Sequence, residues 1–422
     1  MKERVRKYIQ ANKILTSEGL VLVGVSGGAD SIALLIVLQQ LGYSVQALHC
    51  NFHLRGEESD RDERFVSDFC RQKDIPLLIK HFDTKEYAAR QDISIEMAAR
   101  DLRYNWFSEV LAETNAQCIA VAHHKNDQAE TLLLNLIRGT GIRGMAGMYP
   151  LRNNIARPLL CVTREEILSY LSQLGQDYVT DSTNLEREAT RNKIRLDVLH
   201  LLAEINPNII STLSDTCSIV AASIPLYQRG VDEELQQVAA KADTLNIPLL
   251  QESGKADILL YEWLREDGFT NTQLREISES LDSTSGKIWE SRTHRILKDR
   301  DTLIRQEKGS QPEQMEITQE EVDSITETGA DIAYFDRDKL TLPITYRMAR
   351  EGDWFIPFGM KGRKLISDYL TDIKATRFEK EHQLLALSGE DIIWVVGHRS
   401  DNRYRVDENT RRILRLRIER TN

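Results

Sequence analysis

Five cysteines (Cys50, Cys70, Cys118, Cys161 and Cys217) are scattered through 422 residues, and no two of them form a Cys-x-x-Cys pair. That spacing offers neither a zinc ribbon nor an iron–sulfur frame, and it suits reduced thiols in the cytosol. Long apolar runs are lacking too, for no window approaches the ~18 consecutive apolar residues of a membrane span. The opening stretch, MKERVRKYIQANKILTSEGL, has basic residues with no continuous apolar segment behind them. It is a poor secretory signal and a better amphipathic helix, so the expected location is the cytoplasm. No internal repeat and no low-complexity tract is visible.

The composition, 41% hydrophobic and 28% charged, is that of ordinary globular protein. The length suggests roughly two to three domains. A net charge of −10 argues against nucleic-acid binding by overall charge. The distribution says more than the total. Residues 341–422 carry 16 Lys+Arg against 12 Asp+Glu, while the remainder carries 39 against 53. A basic tail on an acidic body permits a localised phosphate-binding surface.

The first ~160 residues alternate strand-like and helix-like segments: apolar runs at 20–25, 45–50, 76–82 and 117–122, and helical patterns at 31–41, 57–73, 94–113 and 127–138. Such alternation predicts an α/β domain, a parallel sheet with helices on both faces, with ligands at the carboxyl ends of its strands. Beyond residue 160 the pattern turns helical, at 164–174 and 190–203. Residues 216–310 mix helix with a strand pair around 295–305. Between Gln311 and Asp336 lie eight acidic residues and no Lys or Arg, which reads as an acidic linker. The last block, 337–422, has alternating strand patterns and predicts a small α+β domain.

The segment VLVGVSGGADS ends a strand and opens a helix. Gly27 and Gly28 are expected to adopt positive φ and to let the backbone approach a ligand closely. Successive N–H groups and the following helix N-terminus would then cradle an anion. Ser26 and Ser31 add hydroxyls, and Asp30 is a candidate for holding magnesium beside phosphates. No lysine follows in P-loop spacing, and G-x-G-x-x-G is absent, which counts against γ-phosphate transfer and dinucleotide binding. The bland alternative is a tight Gly-Gly turn capped by Asp30 and Ser31.

Ser26-Gly27-Gly28-Ala29-Asp30-Ser31 resembles the SGGxDS motif of the PP-loop, or N-type ATP pyrophosphatase, superfamily. Further segments narrow the resemblance: His49-Cys50-Asn51-Phe52-His53-Leu54-Arg55, Glu96 to Tyr104, Ala122-His123-His124-Lys125-Asn126-Asp127-Gln128-Ala129-Glu130-Thr131, Arg157-Pro158-Leu159-Leu160, Asp181-Ser182-Thr183-Asn184 and Arg191-Asn192-Lys193-Ile194-Arg195. In this order they resemble the tRNA(Ile)-lysidine synthetase family over essentially the first 200 residues. Arg350-Glu351-Gly352-Asp353 and Lys361-Gly362-Arg363-Lys364-Leu365 resemble that family's C-terminal domain, and the middle block matches loosely. The resemblance implies a ligase that uses ATP and Mg2+ to adenylylate the wobble cytidine of tRNA(Ile) with a CAU anticodon, then joins free L-lysine to carbon 2. A tRNA thiolase of the same superfamily and a noncatalytic RNA-binding protein are the alternatives. The implied domains are a catalytic one at 1–215, a middle one at 216–310 contacting tRNA, and a tRNA-binding one at 337–422. A homodimer is compatible with the sequence.

Residues 26–31 are thus expected to bind ATP, with Asp30 as metal ligand and Arg100 on phosphate or transition-state charge. Asp127, Glu130 and Thr131 share a helix face. Asp127 and Glu130 are candidates for holding lysine's charged groups or a metal, with a dipole-favoured first turn as the alternative. His123 and His124 lack a third ligand at metal spacing, which disfavours zinc. Arg191 and Arg195, four apart, are candidates to face an RNA backbone, and Arg403 and Arg405 are weaker ones. Residues 139–144 read equally as a helix C-cap with a loop or as a binding loop. Trp289 and His294 suit RNA stacking less than they suit a solvated hairpin.

Overall fold

A computed structural model describes residues 1–180, 190–309 and 315–420, so Asp181, Ser182, Thr183 and Asn184 lie outside the described residues. It divides into two compact units, Met1–Tyr227 and Gln228–Asn422.

In the first unit, α1 (Lys2–Ala11) precedes an alternation of β1 (Val21–Gly24), α2 (Ala29–Gln40), β2 (Val45–Asn51), α3 (Glu57–Gln72) and β3 (Leu77–His81). Helices α4 (Thr84–Gln91) and α5 (Ile95–Thr114) lead to β4 (Cys118–Ala120), and α6 (Lys125–Arg138) and a short α7 (Ile142–Met145) follow. Two-residue strands β5 (Leu151–Arg152) and β6 (Ile155–Ala156) complete a six-stranded sheet of order β3-β2-β1-β4-β6-β5. All its pairings are parallel except β5 with β6.

The sheet grows outward from β1 in both directions. Its order reverses between β1 and β4, the place where such sheets open a crevice for ligands. The expected parallel α/β architecture is therefore present. Val21, Leu22 and Val23 are fully buried, as are Ile32 to Leu35 of α2, so β1 and α2 form the centre of the core. A helix apolar on every side belongs in an interior. Each Leu or Ile sealed there stabilises the fold by about 1.5–3 kcal/mol, which makes the loop between β1 and α2 a rigid mount.

Helix α8 (Arg164–Gln173) begins in a capping box: Thr163 N–H donates to Glu166 Oε2 (2.9 Å) and Glu166 N–H to Thr163 Oγ1 (3.3 Å). The stretch expected as one helix at 190–203 is α9 (Thr190–Lys193), a π-helical turn Ile194–Val198 and α10 (Leu199–Ile205). Then comes α11 (Ile209–Val238), a continuous helix long and apolar enough to cross a membrane, with Asp215 and Pro225 inside it. One such helix is weak evidence of a span. Ile210 and Leu213 at its start pack on Ala129, Ile194 and Leu199.

The described residues of the second unit form one five-stranded sheet and three smaller ones. The five-stranded sheet is built from β7 (Ala239–Lys241), β8 (Thr244–Asn246), β9 (Ile288–Glu290), β10 (His294–Asp299) and β11 (Thr302–Glu307) in the order β7-β8-β11-β10-β9. It packs on α12 (Ile247–Glu252), α13 (Ala256–Leu264) and α14 (Asn271–Glu279). Trp289 is buried in that core, which removes it from any RNA-stacking role.

The acidic segment expected as a linker folds instead. From Met315 it forms β12 (Met315–Val322) and β13 (Ile332–Asp336), which flank β19 (Ile413–Arg420) in a three-stranded sheet. Its carboxylates find arginines there: Arg415 donates to Glu320 and Glu327, and Arg417 to Glu327. A boundary at 336 therefore cuts through a sheet. The rest of this subdomain is β14 (Ile344–Met348), β15 (Trp354–Phe355), β16 (Lys364–Leu365), α15 (Ile366–Asp372), α16 (Arg377–Glu381), β17 (Leu384–Ser388) and β18 (Asp391–Val395), the expected small α+β arrangement.

Candidate active site

The loop 26–31 leaves β1 at the switch point. Gly27 has φ +90, and its carbonyl accepts Val179 N–H at 3.0 Å. A Cβ there would meet Val66 at 3.3 Å and Val179 at 3.4 Å. Gly28, expected to share the positive φ, has φ −72 and ψ 162 as the N-cap of α2. It needs no positive φ because the turn is completed at Gly27. Ser31 Oγ donates to Gly28 O (2.9 Å) and accepts from Ser26 N–H (3.2 Å). Ala29 and Asp30 open α2, so the loop presents backbone N–H groups and a helix N-terminus at the carboxyl end of the sheet.

Asp30 sits among charges. Arg164 Nη1 donates to its Oδ2 at 2.5 Å, and His124 Nε2 lies 3.7 Å from its Oδ1. That Oδ1 is buried and has no hydrogen-bond partner among the described residues. Burial works against the carboxylate, but His124 and Arg164 more than offset it and hold its pKa below the ordinary value.

His124 caps α6 between two acids. Its backbone N–H donates to Asp127 Oδ2 (3.0 Å), and its Nε2 is 3.5 Å from the same oxygen. Burial disfavours its charge, yet Asp30 and Asp127 outweigh that and raise its pKa. His123 is the opposite case. Burial pushes it down to about 4, Asp127 resists only in part, and its Nδ1 accepts Arg157 Nε–H at 3.2 Å. Of the two histidines, His124 touches the charged centre and His123 is a neutral wall.

Two cavities meet at this centre. The smaller, about 300 Å³, is lined by Leu48, Cys50, Phe52, Arg103, Tyr104 and Phe107 in addition to the loop. The larger, about 730 Å³, is lined by Arg55, Arg61, Arg164, Arg195, Asp62 and Tyr178. Both linings include Ser26, Gly28, Asp30 and Asp127.

The other expected site residues fall in different places. Glu130 is fully buried, and its two oxygens accept from Arg191 Nε (2.7 Å), Arg195 Nε (2.6 Å) and Arg195 Nη2 (3.1 Å). The two arginines thus share a face, as their spacing predicts, but they turn it onto an internal carboxylate. Arg195 also lines the larger cavity. Arg100 is exposed over the Tyr104 ring at 5.0 Å, whereas Arg103, one turn on, lines the smaller cavity. Arg403 is held by Asp391 (2.7 Å) and Asp401 (3.0 Å) and packs over Trp354, while Arg405 is exposed. Gly139, at φ +77, is the C-cap of α6. Arg164 escaped the sequence reading because its partner, Asp30, is 134 residues away. The one local signal was its place just after the Thr163 cap.

A glycine-tight loop at the switch point of a parallel sheet, with a half-buried acid at its helix start, defines a PP-loop ATP pyrophosphatase-type domain. The family model described as "PP-loop domain" matches residues 1–202, and "TilS substrate binding domain" matches residues 239–308. The chain is 48% identical to a tRNA(Ile)-lysidine synthase of Parabacteroides distasonis, over 97% of this chain and 98% of the relative. One from Bacteroides thetaiotaomicron is 45% identical (99% and 100% covered), and one from Clostridium acetobutylicum 31% (98% and 98%). The chain belongs to the tRNA(Ile)-lysidine synthase family, whose members are ATP-dependent ligases that modify tRNA.

Proposed function

We propose that this chain adenylylates the wobble cytidine of a CAU-anticodon tRNA(Ile) and then joins lysine to carbon 2. The observation that carries this reading is the pair of cavities sharing the loop 26–31, Asp30 and Asp127. The smaller cavity, with Leu48, Phe52, Tyr104 and Phe107, suits an adenosine. The loop N–H groups hold its phosphates, and the larger cavity receives the unstacked cytidine and the amine.

Carbon 2 of cytidine is a poor electrophile because its oxygen leaves badly. The oxygen attacks the α-phosphorus of ATP and pyrophosphate departs, which leaves O2 bonded to AMP. The ε-amine of lysine then forms the bond to carbon 2, and the C–O bond to AMP breaks. Asp127 faces both cavities and is placed to accept the proton the ammonium must shed. The chain supplies orientation and charge neutralisation, and no protein nucleophile is needed. Asp30 fits magnesium through its buried Oδ1, which accepts no hydrogen bond among the described residues, and the ion would neutralise charge on the departing pyrophosphate.

The cysteines support this reading over thiolation. Burial raises all five thiol pKa values, Cys50 beside the loop to about 12, so none is prepared as a thiolate sulfur carrier. The C-terminal subdomain contributes tRNA affinity through exposed cations such as Arg405, and a tRNA substrate supports a cytoplasmic location. Incubation with ATP, labelled lysine and a tRNA(Ile)-CAU transcript, followed by nucleoside analysis, tests the proposal. Labelled lysidine at the wobble position is expected. AMP and pyrophosphate release without a lysine-labelled nucleoside would refute it.

A further inference from the structure

The carboxylate proposed to hold the metal already has a cation on it. Arg164 Nη1 donates to Asp30 Oδ2 at 2.5 Å, while Asp30 Oδ1 is buried and accepts no hydrogen bond among the described residues, with His124 Nε2 3.7 Å away. A divalent ion at Oδ1 would share one carboxylate with a guanidinium, and two cations so close repel each other.

The two parts of Arg164 differ in freedom. Its backbone is fixed, with N–H donating to Asn126 Oδ1 at 3.0 Å and the Thr163–Glu166 capping box closing the turn around it. Its side chain is 42% exposed and lines the larger cavity, next to the loop that faces phosphates. A long side chain on a fixed backbone can change partners without moving α8. The stronger partner would be a polyphosphate, which offers several charged oxygens to a planar fork.

We infer that Arg164 is a parked phosphate ligand, resting on Asp30 in the substrate-free protein and transferring to the nucleotide's phosphates when metal and ATP enter together. The inference rests on the reading of Asp30 as the metal-holding residue. It makes binding ordered: Arg164 keeps metal off Asp30 until a nucleotide draws it away. Arg164 therefore opposes one ligand and supports the other.

That opposition is the test, made on the full chain with two probes. Mn2+ binding without nucleotide is followed by electron paramagnetic resonance, and α,β-methylene-ATP binding with Mg2+ by calorimetry. Arg164→Ala is expected to bind Mn2+ several-fold more tightly and the nucleotide about 10- to 100-fold more weakly, the range for losing a charge-assisted contact. Arg164→Gln, neutral but still able to donate to Asp30, gives the same two signs if the alanine variant fails to fold. Unchanged Mn2+ affinity, or both affinities falling together, would overturn the inference, because a merely structural arginine weakens both. Asp30→Asn separates the two readings. If the tighter Mn2+ binding of Arg164→Ala survives the addition of Asp30→Asn to the same chain, Asp30 is not the metal ligand. If Asp30→Asn alone loses Mn2+ while the Arg164 variants bind normally, only the parked-arginine inference fails.

Discussion

Gly27 and Gly28 are neighbours of the same type, yet the structure assigns their substitutions different costs. Gly27 lies at φ +90, where an L side chain is strained by about 1–2 kcal/mol. Its added Cβ would also press on Val66 at 3.3 Å and Val179 at 3.4 Å. Relief requires a shift of the loop, which would weaken the 3.0 Å bond from Val179 N–H to Gly27 O. Gly28 has φ −72, and a Cβ there would meet Ser26 Oγ at 3.5 Å and Val179 O at 3.9 Å, which is ordinary contact. Gly27→Ala should therefore cost the first unit about 1–3 kcal/mol, and Gly28→Ala should leave the fold near neutral.

Hydrogen exchange over residues 21–40, read by mass spectrometry, resolves this locally and avoids assuming one cooperative transition in a two-unit chain. Where exchange tracks unfolding of the unit, 1–3 kcal/mol corresponds to about 5- to 150-fold faster exchange in Gly27→Ala. ATP affinity should fall with it, since the displaced N–H groups are those proposed to face the phosphates. Wild-type protection in Gly27→Ala together with lost protection in Gly28→Ala would refute the reasoning about this turn.

Asp30→Asn should abolish AMP transfer while leaving circular dichroism unchanged, at a modest stability cost from the weakened Arg164 contact, and near-normal AMP release by a folded variant would remove Asp30 from the chemistry. Omitting lysine should let adenylylated tRNA accumulate, detectable as labelled AMP on the transcript, whereas AMP on lysine itself would contradict the order of steps. Asp353 accepts from Arg347 at 2.7 and 2.8 Å, and that contact with Arg347 lowers its pKa. Its stabilising share is thus present above the unfolded carboxylate pKa and lost as pH falls through the lower folded value. Asp353→Asn should cost about 1–3 kcal/mol at neutral pH and flatten the acid limb of a stability–pH curve; an unchanged limb would count against it. For tRNA, Arg405→Ala with Arg411→Ala should reduce the slope of log affinity against log salt by about 0.7–0.9 per lost phosphate contact. Alanine at Arg415 and Arg417 should act on stability instead, and the reverse assignment would displace the proposed surface.

The parallel sheet was legible because its central strands are buried on both faces, which leaves continuous apolar runs such as Val21-Leu22-Val23 in the sequence. Helix α4 was missed because it is short and polar, burying only Thr84 and Ala88. Strands β5 and β6 have two residues each, too few for any period to show. Strand β12 was read as a linker because its acids were counted without their partners. Glu320 is matched by Arg415, 95 residues further on, and no local pattern encodes that pairing.

The same limit governs the site, and it acts on arginines most of all. Spacing placed Arg191 and Arg195 on one face correctly, but a face says nothing of what it meets. Here it meets Glu130, whose burial makes a bare carboxylate expensive and a double arginine clamp the compensating arrangement. Arg403 is absorbed by Asp391 and Asp401 in the same way, as Arg415 and Arg417 are by β12. Net charge counts these residues as positive, although an RNA phosphate would have to displace a carboxylate to reach them. The basic excess of residues 341–422 therefore overstates the cations free to bind. Arg164 shows the converse, since a residue with no motif of its own stands on Asp30, the acid that opens α2 in the SGGxDS loop. Whether an arginine grips substrate or scaffold is decided by the nearest acid, how deeply that acid is buried, and whether a better anion can arrive.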